Sequence, residues 1–197
     1  MAVKKIVEIG HRVLKLENKP ITDFKSPSLR RLLRDLNDTM ESVDLIGIAA
    51  PQIGNNSQVF LTHPRKTNAR KLAKSDILRF YINPKIIYTS KETSLIYEGC
   101  GCVPKSTIFG PVVRPKEIEV EAYDAGGNKF RLRCDGLLAR VIQHEYDHLQ
   151  GIEFLERVTD NRKIISWNFY KKDIRNSKEQ KEASLITKVE YKQIPTT

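Results

Sequence analysis

Three residues of one short stretch could do chemistry together. In Gln143-His144-Glu145-Tyr146-Asp147-His148 the two histidines are four residues apart. On a helix they lie about 40° apart around the axis and one turn apart along it. Both imidazoles can then reach one metal ion, and Glu145 projects close enough to meet a water at that ion. This is the H-E-x-x-H arrangement of metallohydrolases.

The third ligand must come from elsewhere. A metzincin would continue to a further histidine, but His148 is followed by Leu149, Gln150, Gly151, Ile152, Glu153 and Phe154, so that class is excluded. A thermolysin-like carboxylate could be Glu153 or Glu156, yet nothing sets either apart from its neighbours. A cysteine is the better source. Cys100 stands in Glu98-Gly99-Cys100-Gly101-Cys102-Val103-Pro104, where two glycines let the backbone approach a ligand closely. Two imidazoles and one thiolate leave a coordination position open for water, as catalytic sites require. The competing reading closes the site structurally with both Cys100 and Cys102. Cys134 sits in an alternating apolar stretch and reads as core.

Several elements must position these groups. Ser26-Pro27 is a helix start, and Leu29, Leu32, Leu33, Leu36 and Met40 recur at helical spacing, which predicts an N-terminal amphipathic helix ending near Asp44. Val59–Thr62, Phe80–Tyr88 and Thr93–Tyr97 are rich in β-branched and aromatic residues and read as strands. Glu117–Tyr123 and Lys129–Cys134 alternate across an Asp-Ala-Gly-Gly-Asn turn and predict a hairpin. Asp135 can cap the helix carrying the histidines, and Gly151 can close it. The pattern is not βαβ. An α+β fold is expected, with antiparallel strands packed around a central helix bearing the histidines.

The 197 residues are 40% hydrophobic and 29% charged, which excludes collagenous, low-complexity and wholly disordered chains. No apolar run approaches the roughly 18 residues of a membrane span. The opening MAVKKIVEIG has no signal-peptide core. A soluble, cytoplasmic protein with no membrane partner is expected. Three cysteines argue against a disulfide scaffold. The net charge of +10 favours an anionic neighbour such as nucleic acid. From Arg157 to Thr197 there are ten basic and five acidic side chains with few large apolar residues. This divides the chain into a catalytic unit at 1–156 and a basic, peripheral C-terminal extension at 157–197.

Three stretches carry a family resemblance: Gly47-Ile48-Ala49-Ala50-Pro51-Gln52, Glu98-Gly99-Cys100, and Gln143 through Gly151. In order and context they resemble the peptide deformylases, over roughly residues 5 to 156. The resemblance implies a metal-dependent amide hydrolase that removes the formyl group from the N-terminal methionine of new polypeptides. By that resemblance Cys100, His144 and His148 hold the metal, and Glu145 carries the proton. The Gln52 side chain and the Gly101 N–H face the oxyanion. Ile46, Gly47, Ile96, Leu137 and Val141 bind substrate around the methionine side chain. The family points to Fe²⁺, with Zn²⁺, Ni²⁺ or Co²⁺ able to replace it. Formylmethionyl nascent peptides are the implied partners, and the basic C-terminal segment suits contact with the ribosome. Nothing in the sequence demands more than a monomer. Two other functions stand beside this one: a different metallohydrolase such as an endopeptidase, and a basic ribosome- or RNA-binding relative with a vestigial metal site.

Two places depart from the family pattern. Leu45 stands where the family usually has a glycine, and Gly101-Cys102 stands where it usually has Leu-Ser. The segment from Val103 to Arg114 is also slightly longer than in the common bacterial form. These changes border the cleft and bear on substrate preference.

Overall fold

The computed structural model describes residues 3–67, 72 and 74–195. Helix α1 (Pro27–Ser42) starts where Ser26 Oγ accepts from the Leu29 N–H at 3.3 Å, and it buries Leu29, Leu32, Leu33, Leu36 and Met40. It ends two residues before Asp44, which takes a left-handed φ of 59°. That apolar face packs with Ile48, Leu61 and Ile82 of the first strands.

Six strands form the main sheet: β1 (Gly47–Ala49), β2 (Val59–Thr62), β3 (Arg79–Thr89), β6 (Glu117–Tyr123), β7 (Lys129–Asp135) and β9 (Val189–Gln193). They lie in that order and every pairing is antiparallel. A second antiparallel sheet holds β4 (Thr93–Glu98), β5 (Ile108–Pro115) and β8 (Ile165–Ser166). The hairpin of β6 and β7 shows why alternation matters. Ile118, Val120, Phe130 and Leu132 point inward and are buried, while the intervening Glu and Arg residues pair across the outer face. Cys134 lies in that same core.

Helix α2 (Gly136–Leu149) carries the two histidines and packs against β1, β2, β6 and β7. Leu138, Ile142 and Leu149 on it meet Phe60, Tyr81 and Phe130 of the sheet. Gly151, at a left-handed φ of 72°, closes the helix against the backbone of Lys15, where a Cβ would stand 3.1 Å from the Lys15 carbonyl. Beyond it come α3 (Phe154–Arg157), α4 (Trp167–Phe169) running into a π-helical turn at Tyr170–Ile174, and α5 (Lys178–Ala183). Among the described residues no helix is long and apolar enough to cross a membrane.

The stretch after residue 156 is packed onto the body. β8 joins the small sheet, β9 is an edge strand of the large one, and Ile186 is buried in the main core. Asp135 changes role for the same reason. Its side chain makes no cap bond to α2. It accepts instead from the N–H groups of Thr187 and Lys188, at 2.7 and 2.8 Å. The Leu137 N–H at the start of α2 donates to the Ser184 carbonyl at 3.2 Å. A tertiary contact has replaced the local cap.

Candidate active site

The sheet and helix bring Cys100, at the end of β4, over the face of α2. The ligand atoms of Cys100, His144 and His148 lie within 4.8 Å of one another. Cys100 Sγ is 3.3 Å from His148 Nε2. Cys102 is left out of this cluster. It is fully buried among Val13, Leu14, Val103 and Phe154. A closed site using both cysteines is therefore not what the fold builds, and the donor set keeps a position open.

His144 is held from behind. His144 Nδ1 is 3.0 Å from Glu98 Oε2, which turns the other ring nitrogen toward the thiol. Glu98 is buried and also accepts from Arg114 Nε at 2.8 Å and Arg140 Nη1 at 2.9 Å. Arg114 in turn donates to Asp147 Oδ2 at 2.6 Å, and Arg157 closes the chain on Asp147 Oδ1 at 2.7 Å. Burial alone would raise the pKa of Glu98, but Arg114 and His144 hold it well below the usual carboxylate range. Burial opposes charge on His144, yet its bonds to Cys100 and Glu98 outweigh this and raise its pKa. The hydrogen bond with Cys102, followed by burial, pushes the Cys100 thiol up to about 11. An ion binding here must displace protons from these donors.

Glu145 lies beside the cluster, buried, with Oε2 lacking any hydrogen-bond partner among the described residues. Burial lifts its carboxyl to about 7. Gln52 approaches from the turn after β1. Its Oε1 accepts the Ala49 N–H at 2.7 Å, which leaves its amide nitrogen 3.8 Å from Cys100 Sγ. These groups open on one cleft of about 920 Å³. Ile46, Gly47, Gln52, Ile96, Cys100, Gly101, Leu137, Val141, His144 and Glu145 all line it, while His148 lies deeper. A Cβ at Gly47 would stand 2.6 Å from Glu145 Oε1, so a side chain there would collide with the buried acid.

A sequence model described as polypeptide deformylase matches residues 3–163. The chain belongs to the polypeptide deformylase family. The peptide deformylase of Pseudothermotoga lettingae is 37% identical over 162 residues, covering 82% of this chain and 86% of that one. The chloroplastic peptide deformylase 1B of Oryza sativa is 36% identical over 155 residues, covering 79% of this chain and 55% of that one. Among solved structures, the Met-Ala-Ser-bound class I type b peptide deformylase from Acinetobacter baumannii aligns with a TM-score of 0.76 at 32% identity. That alignment covers 80% of this chain and all of the other. A peptide deformylase is a hydrolase that removes the N-terminal formyl group of new polypeptides, and that is the activity of this chain.

The structure explains how this deformylase tolerates its two departures from the family pattern. A Cβ at Gly101 would stand 2.9 Å from Leu45 Cδ1 and 3.3 Å from Ile6 Cδ1. Leu45 fills the space beside residue 101 that a side chain there would need. The large residue at 45 and the glycine at 101 are complementary in volume.

Sequence reasoning missed Arg140 and Asp147. Arg140 is one helical turn before His144, and that spacing was the available signal. It also missed the C-terminal residues of the cleft wall, among them Tyr170, Gln180, Leu185 and Ile186. The alternation of Val189 and Tyr191 with charged residues could have revealed β9, though nothing local places the wall before it.

Proposed function

We propose that residues 1–156 form the catalytic unit of this deformylase, built around α2 and flanked by the amphipathic α1, with 157–197 as an extension packed onto it. In this reading Cys100, His144 and His148 hold one divalent ion. The donor set fits: one thiol and two imidazoles converge within 4.8 Å, and Glu98 orients one of the rings. The ion is taken as Fe²⁺ on the family resemblance, with Zn²⁺, Ni²⁺ or Co²⁺ as substitutes. When bound, such an ion lowers the pKa of water toward about 7 and polarises a carbonyl.

The chain's own groups do the rest. Glu145, poised near neutrality in a buried site, accepts a proton from the attacking water and delivers it to the departing amine. Negative charge grows on the formyl oxygen as the carbon becomes tetrahedral. The Gln52 amide, anchored through Ala49, and the Gly101 N–H donate to it. Ile46, Gly47, Ile96, Leu137 and Val141 take the methionine side chain, whose burial contributes roughly 1.5–3 kcal/mol. The single observation carrying this reading is the buried Glu145 carboxyl, its Oε2 unpartnered among the described residues, beside a converged Cys-His-His cluster. The enzyme is read as a monomer of the cytoplasm acting on formylmethionyl nascent chains, with exposed basic residues of the extension toward ribosomal RNA.

The test is formate release from formyl-Met-Ala-Ser by anaerobically prepared protein loaded with Fe²⁺ or Ni²⁺. Release from the formyl peptide, with none from its acetyl counterpart and no cleavage of an internal bond, is expected. A fully metal-loaded enzyme that releases no formate would sink the assignment.

A further inference from the structure

The family match ends at residue 163, yet the cleft does not. One side of it is built by the C-terminal segment, where Tyr170, Arg175, Gln180, Lys181 and Leu185 line the wall. This wall is fixed to the body. The Tyr170 ring stacks on Phe109 with centroids 4.0 Å apart. The Gln180 side chain accepts from the Tyr97 N–H at 3.0 Å and donates to the Tyr97 carbonyl at 3.3 Å. The Arg175 N–H donates to the Tyr170 carbonyl at 2.8 Å.

Arg175 is the group on this wall with chemistry to spare. Its Nε is buried and has no hydrogen-bond partner, and no ion pair among the described residues includes Arg175. Lys66, Lys74 and Lys181 line the same cleft. The acid at this end, Glu182, lies 3.9 Å from Lys178. At the inner end Glu98 is already held by Arg114 and Arg140. The outer end is therefore positive, and it contains a half-buried guanidinium fork that belongs to no ion pair among the described residues. Such a fork matches a carboxylate, which can take two parallel N–H bonds.

We propose that Arg175, assisted by Lys181, is a specificity-determining site for a carboxylate carried by the peptide downstream of its formylmethionine. The proposal rests on the deformylase reading. With the formyl group at the cluster and the methionine side chain among Ile46 and Leu137, the following residues occupy the rest of the cleft, one side of which is the C-terminal wall. The carboxylate can be an Asp or Glu side chain at the second or third position, or the C-terminus of a short peptide.

The test compares kcat/KM for formate release by the metal-loaded enzyme within three peptide pairs. These are formyl-Met-Glu-Ser-amide against its Gln counterpart, formyl-Met-Ala-Glu-amide against its Gln counterpart, and formyl-Met-Ala-Ser as acid against amide. Wild type is expected to favour the carboxylate in at least one pair by about fivefold, mainly through KM, and the pair that responds identifies the source. Arg175→Gln should bring that ratio near one, Arg175→Lys should keep part of it, and Lys181→Gln should reduce it less. Each ratio is taken within one enzyme, so a general loss of folded protein cancels. Ratios of one for all pairs in wild type, or a ratio that survives Arg175→Gln, would overturn the proposal. Failure to release formate from the neutral peptides as well would instead bring down the deformylase reading, and the proposal with it.

Discussion

The inner wall of the cleft is locked by buried charge, whereas the outer wall is a polar segment laid across the mouth by the end of the chain. Inside, Glu98 collects Arg114, Arg140 and His144, and Asp147 ties Arg114 to Arg157. Glu98, Arg114, Arg140 and Asp147 are buried, so none of them can move without leaving a charge unpaired in a dry place, and removing one partner of such a pair typically costs about 3–5 kcal/mol. Outside, the contacts are hydrogen bonds, aromatic stacking, the β9 ladder and the insertion of Ile186. Reaction geometry needs the first kind of wall, because ligand atoms must hold their positions. Discrimination among peptides needs only the second.

If that contrast is real, changes on the inner wall should act on turnover and metal, and changes on the outer wall on peptide binding. The largest expected effect is for Glu145→Gln. It should bind one equivalent of metal yet lose about 10²- to 10⁴-fold in kcat, because the proton carrier is gone and the ligands remain. Unchanged turnover in that variant would remove Glu145 from its role. Next comes Glu98→Gln, where titration with Ni²⁺ should show affinity weakened about 10- to 100-fold as His144 loses its orienting anion. Full metal affinity there would mean that the charge network supports the fold alone.

Gly101→Leu sharpens the comparison at the border between the walls. By itself it should destabilise by about 1–3 kcal/mol through collision with Leu45, and the double variant with Leu45→Gly should recover most of that in a melting experiment. Simple additivity of the two changes would refute the complementarity of volumes. The smallest effect belongs to Asp135→Ala, which releases the Thr187 and Lys188 N–H groups and loosens the outer wall. A loss of about 1 kcal/mol in stability and a severalfold rise in KM are expected, with kcat retained. A fall in kcat without a change in KM would show that this wall shapes the chemistry too.

Much of the candidate site was legible because its strongest signals are local. Two histidines four apart on a helix face one way whatever surrounds them, and a glycine-flanked cysteine after a strand announces a close approach. The hairpin at 117–135 was legible for the same reason, since alternation fixes which side chains face inward. Arg140 and the C-terminal wall were not. Their roles come from partners 42 residues away, at Glu98, and 83 residues away, at Tyr97, and no local pattern encodes such a distance.

The sequence by itself determined the chemistry: the residue types that can hold an ion and carry a proton, and the family to which they belong. Tertiary structure decided what surrounds that chemistry. It turned Cys100 toward the histidines and Cys102 into the core. It let Leu45 take the space beside residue 101. It also drew a polar, basic tail into the sheet as the far wall of the cleft. Spacing along a helix is set by covalent geometry within a turn or two, whereas burial and the partners of a charge are settled only when distant segments pack.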